Sequence, residues 1–113
     1  MIKNRPTSYL KRRRVLLTQQ LAGLAMHVIR GSIYERYIPC GKPGCKCRHT
    51  GGHGPKHYLN TSYPGGRKGE IDYVPQAFTK TINEYLENLK KTREIIEDIC
   101  MINLEILRRR EKL

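Results

Sequence analysis

The segment PCGKPGCKCRHTGGHGPKHYL, residues 39–59, holds three of the chain's four cysteines and three of its four histidines. Cys40, Cys45, Cys47 and His53 offer three thiolates and one imidazole, the donor set of a closed tetrahedral Zn2+ site of the Cys3His type. Glycines interspersed among them let the backbone turn tightly around an ion, with N–H groups aimed at the sulfurs. His49 stands too close to Cys47 to close the tetrahedron easily, whereas His57 competes with His53 for the fourth position. A redox dithiol would need Cys-x-x-Cys at a helix start, and a thiol nucleophile would need a His oriented by a carboxylate. The loop has neither arrangement, and no acid lies between Glu35 and Glu70 to serve a catalytic zinc as its base. The reading is structural Zn2+ with no catalytic residue, and therefore not an enzyme.

A staple of this kind suits the composition. With 113 residues, 38% of them hydrophobic, one Phe and no Trp, the chain reads as a single domain, 1–113, whose apolar core is thin unless metal or a second copy supplements it. The opening MIKNRPTSYLKRRR lacks an apolar stretch of signal-peptide length, and nothing later approaches the roughly 20 apolar residues of a membrane span. The expected location is the cytoplasm, with no membrane partner, and there clustered cysteines hold metal more often than they form disulfides.

The net charge of +12 is unevenly placed. Residues 1–30 carry seven Lys or Arg and no acid, residues 31–75 seven and three, residues 76–113 eight and seven. The first two thirds thus suit a polyanionic partner, and the last third suggests a self-balanced helix laced with salt bridges. Candidate phosphate contacts are Lys11, Arg12, Arg13 and Arg14, then Lys42, Lys46, Arg48 and Lys56 around the cysteines, and Arg67 and Lys68 in the turn PGGRKG.

Three elements must position these groups, and together they predict an α+β fold. Residues 7–30 read as a basic helix: Thr7 or Ser8 is a suitable N-cap after Pro6, Leu10, Leu17, Leu21, Leu24 and Val28 recur at three- and four-residue steps, and RGS at 30–32 marks the stop. Residues 31–75 read as a three-stranded antiparallel sheet from SIYERYI, HYLNTSY and EIDYV, with a zinc-knuckle loop joining the first strand to the second and a hairpin joining the second to the third. Five of the seven tyrosines lie here, most of them expected to pack across strands. Residues 76–110 read as one long helix. Phe78, Ile82, Tyr85, Leu89, Thr92, Ile96, Ile99, Asn103 and Ile106 alternate at four- and three-residue steps, the seam of a coiled coil. Such a seam points to a homodimer with Asn103 setting register, the alternative being a fold back onto the first helix. Cys100 reads as a small core residue.

RGS at 30–32, CGKPGCKC at 40–47, GHGP at 52–55, YL at 58–59, YVP at 73–75 and Asn103-Leu104 together resemble a family of small uncharacterised proteins of bacteria and archaea, often found near mobile elements. The resemblance spans roughly residues 30–104. It implies the fold and a site at the positions of Cys40, Cys45, Cys47 and His53, but no activity. Lys56 and His57 depart from the aromatics that its members tend to have after HGP. Physics then favours a zinc-stapled nucleic-acid-binding protein, DNA ahead of RNA, and the resemblance implies a regulator or accessory factor of a mobile element. An adaptor that binds other proteins through its last helix is the alternative.

Overall fold

A computed structural model describes residues 2–38, 42–44 and 53–113 of the chain, and only the backbone at 38, 53 and 54. The architecture is α+β, with helix α1 (Thr7–Leu24), strands β1 (Ser32–Ile38), β2 (His53–Thr61) and β3 (Glu70–Val74), and helix α2 (Thr79–Arg108). Two compact units result: Met1–Val28 with Glu87–Leu113, and Ile29–Leu86.

The first unit is an antiparallel helix pair. Leu10 and Leu17 of α1 bury against Ile95, Ile102 and Ile106 of α2, with Ile2, Leu21, Leu24 and Ile99 around them. Each buried Leu or Ile contributes about 1.5–3 kcal/mol by leaving water. The buried side of α2 runs through Thr92, Ile95, Ile99, Ile102 and Ile106, a four-three alternation whose phase differs from the expected seam. Ile95 and Ile102 are buried where Ile96 and Asn103 were expected, and Ile96 is 44% exposed. Cys100 falls off this stripe and is exposed, not core.

Polar contacts set the ends of the pair. Pro6 occupies the N-cap position of α1 without a side-chain cap. The Thr7 hydroxyl, expected as a cap, instead accepts from Arg109 Nη1 at 3.1 Å. Arg109 also donates from Nε to Glu105 Oε1 at 3.1 Å and from Nη2 to the carbonyls of Ile2 and Lys3 at 3.3 and 3.4 Å. At the opposite end α1 stops at Leu24, short of the expected Arg30, and Asn88 Nδ2 donates to the His27 carbonyl at 2.9 Å. Gly23 lowers helix propensity just there, and the backbone tightens to an i→i−3 bond, His27 N–H to the Leu24 carbonyl.

Helix α2 ends in a Schellman motif: Glu111 N–H donates to the Ile106 carbonyl, Arg110 N–H donates to the Leu107 carbonyl, and Arg110 takes φ 57°. The salt-bridge lacing expected along this helix is absent among the described residues apart from Glu105–Arg109 at 3.1 Å.

The second unit carries the sheet, ordered β1-β2-β3 and antiparallel throughout. The bounds of β1 and β3 coincide with SIYERYI and EIDYV, whereas β2 starts earlier than HYLNTSY and ends at Thr61. Leu59, Thr61 and Val74 are buried on one face, and Leu59 and Val74 line a groove with Ile29, Phe78 and Ile82. Gly31, at φ 133°, closes this side: a Cβ there would lie 2.7 Å from the Asn60 carbonyl oxygen. The position therefore requires glycine.

Candidate functional site

The strand register sorts the side chains of the sheet by chemistry. Tyr34 pairs with Tyr58 and Tyr58 with Tyr73, while Arg36 pairs with Lys56. Directly opposed residues share a face, and alternation places all five on the side away from Leu59 and Val74. The three acids of the strands take the other side, Glu35 opposite His57, Asp72 opposite Leu59, and Glu70 opposite Thr61. One face therefore carries tyrosine and positive charge without a carboxylate from any strand.

On that face the tyrosines form a continuous row. Tyr34 stacks on Tyr58 with centroids 5.8 Å apart and planes at 25°, and Tyr58 meets Tyr73 edge-on at 5.8 Å and 65°. Packing across strands, as expected, stabilises the sheet. The row is not a buried core: Tyr34 and Tyr58 are half-buried and Tyr73 is 55% exposed. The Arg36 guanidinium lies 5.9 Å from the Tyr58 centroid and Lys56 Nζ 5.8 Å from that of Tyr73. Both distances sit at the outer limit of cation–π attraction, so the rings hold these cations weakly.

The expected phosphate contacts fare differently from one another. Arg12 and Arg13 are exposed on α1, and Lys11 is half-buried. Arg14 is half-buried and donates to Asn103 Oδ1 at 2.7 Å, which makes it part of the helix pair. Lys42, Lys56, Arg67 and Lys68 are exposed. The hairpin turn bends through Gly65 and Gly66, at φ 77° and 76°, and Arg67 covers the Tyr63 ring at 4.7 Å. Lys46 and Arg48 lie outside the described residues.

Cys40, Cys45, Cys47 and the side chain of His53 also lie outside them. What borders these residues is informative. Ile38 pairs with His53, so the chain leaves and rejoins the sheet at adjacent strand ends. Between the pairs Arg36–Lys56 and Ile38–His53, two steps along β1 match three along β2, which makes a bulge in β2. Lys42–Gly44 enter a turn with Gly44 at φ 76°. His57, the alternative fourth ligand, has Nε2 3.3 Å from Glu35 Oε1 with its side chain 13% exposed. A partner across the strands thus already engages His57. Among the described residues no group of three or more His, Cys, Asp or Glu side chains is placed to hold a metal.

The tyrosine row is not legible in the linear sequence because its signal lies in register. Tyr34, Tyr58 and Tyr73 are far apart in sequence, and only pairing shows that they share a face with Arg36 and Lys56. Residues 7–84 match a family described as Domain of unknown function (DUF6788), which takes in α1, the sheet and the start of α2. No curated protein and no solved structure matches the chain.

Proposed function

We propose that this chain, which belongs to the DUF6788 family, binds nucleic acid, DNA ahead of RNA, on a fold stapled by one Zn2+. The observation that carries the reading is uncompensated charge. The chain has 22 Lys and Arg residues, and among the described residues Arg109 is the only one paired with a carboxylate. Charge that the fold does not neutralise is available to phosphates, whose binding releases counterions. Arg12 and Arg13 in one unit, and Arg36, Lys56, Arg67 and Lys68 in the other, are exposed for that purpose.

The zinc proposal rests on the donor set Cys40, Cys45, Cys47 and His53. The turn at Gly44 and the pairing of Ile38 with His53 support it, and the Glu35 contact of His57 favours His53 as fourth ligand. Bound zinc would supply folding energy, not reactivity, because three thiolates and an imidazole leave no open position.

Fluorescence anisotropy with labelled DNA at several salt concentrations tests the function. Replacing Arg12, Arg13, Arg67 and Lys68 by Gln is expected to weaken binding to every sequence and to flatten the salt slope, because phosphate contacts position without specifying. Absence of binding at low salt would overturn the reading in favour of the adaptor. One observation favours that second reading: Ile96, Met101, Leu104 and Leu107 of α2 are 40–54% exposed, an apolar strip suited to another protein.

A further inference from the structure

We infer that the Tyr34–Tyr58–Tyr73 face takes unpaired nucleotides, which makes single-stranded nucleic acid the preferred ligand. The inference rests on the nucleic-acid reading above and narrows its substrate class. A duplex offers a protein phosphates and groove edges, and its bases are stacked on one another, so exposed aromatic rings gain little from it. A single strand offers free base faces, which stack on aromatic side chains regardless of sequence.

Five properties of the face match that ligand. The aromatic row crosses all three strands, from Tyr34 on β1 to Tyr73 on β3. Tyr73, 55% exposed, ends the row on an edge strand, and beside it on the same face Ile71 is 62% exposed, which adds apolar surface for a base. Arg36 and Lys56 stand along the row, too far from the rings to be strongly held by them and free to turn toward a phosphate backbone. Asn60, exposed on the same face opposite Ile71, can donate to or accept from a base edge. Charge complementarity picks the polyanion, because no carboxylate of the strands shares this side.

The test uses the full chain with three probes of equal length, oligo-dT, oligo-U and a blunt DNA duplex, at low and high salt. Both single strands, or one of them, are expected to bind tighter than the duplex, and the comparison of oligo-dT with oligo-U separates DNA from RNA. Binding should also quench tyrosine emission, which is visible because the chain has seven Tyr and no Trp. Tyr73→Thr keeps a residue suited to a strand and is expected to lower single-strand affinity about tenfold with an unchanged salt slope, whereas Tyr73→Phe keeps the affinity. Circular dichroism checks that both variants fold. Equal affinity for duplex and single strands, with no loss in Tyr73→Thr, would overturn this inference and leave phosphate binding standing. No binding of any probe at low salt would overturn both.

Discussion

Arg14 donates to Asn103 Oδ1 across 2.7 Å, joining residues 89 positions apart in the chain. The asparagine expected to set register between two copies is thus bonded to the neighbouring helix of its own chain. Replacing Asn103 by Leu removes the acceptor and leaves a half-buried guanidinium unpaired, at an expected cost of about 1.5–3 kcal/mol in urea denaturation. Arg14→Ala should cost a similar amount, and the double variant less than the sum of the two. Arg12→Ala and Arg13→Ala, both at exposed sites, should stay within about 0.5 kcal/mol of the parent.

Arg110 holds φ 57° at the C′ position of α2, where glycine is the common occupant. Arg110→Gly relieves the Cβ clash of the left-handed conformation. A gain of about 1 kcal/mol is expected, read as a raised urea midpoint.

Two glycines should respond in opposite directions to the same change. Gly31→Ala forces a Cβ to within 2.7 Å of the Asn60 carbonyl oxygen at φ 133°, and unfolding should come at markedly lower urea. Gly23 lies inside α1 with nothing within 4 Å of its Cβ position, so Gly23→Ala should stabilise by up to about 1 kcal/mol.

Thr92 carries a buried hydroxyl with no hydrogen-bond partner, beside the apolar stripe of α2. Thr92→Val keeps the shape and removes the unsatisfied group. Thermal denaturation should show a gain of about 1 kcal/mol.

Elemental analysis of the purified protein should find about one zinc per chain if the proposed ligands hold metal. Chelation, or Ser at Cys40, Cys45 or Cys47, should then unfold the sheet, because site formation is coupled to folding. His53→Ala should destabilise far more than His57→Ala. A chain that melts cooperatively without metal, and identically with chelator, would remove zinc from the proposal.

The sheet was the most legible part of the sequence. SIYERYI ends before Pro39 and EIDYV before Pro75, so residues that cannot donate to a ladder mark where β1 and β3 stop. The helix pair was legible in kind and not in phase. Ile95-Ile96 and Ile102-Asn103 put two acceptable residues side by side, and the choice between them belongs to the partner helix, not to α2. Helix α1 ends earlier than the sequence predicts: Leu24 and Val28 continue the periodicity, while the chain tightens after Gly23 and Asn88 of a distant element donates to the His27 carbonyl beyond the end. The two faces of the sheet were hidden for the same reason: alternation within a strand is local, whereas the matching of Tyr34 with Tyr58 and of Tyr58 with Tyr73 needs three strands in register.

The segregation of Arg36 and Lys56 from Glu35, Glu70 and Asp72 also polarises the sheet across its thickness. In a chain of net charge +12, a polyanion diffusing toward the sheet would meet stronger attraction on the cationic side than on the other, so orientation would begin before contact. Electrostatics of this kind raises the rate of encounter and fades as salt shortens the screening length from about 30 Å at 0.01 M to about 8 Å at 0.15 M. If the face takes a single strand as proposed, the rings would act only after arrival, at contact distance and largely beyond the reach of salt. Arrival and departure would then be set by different residues of the same face, the cations governing how fast the strand docks and the tyrosines how long it stays.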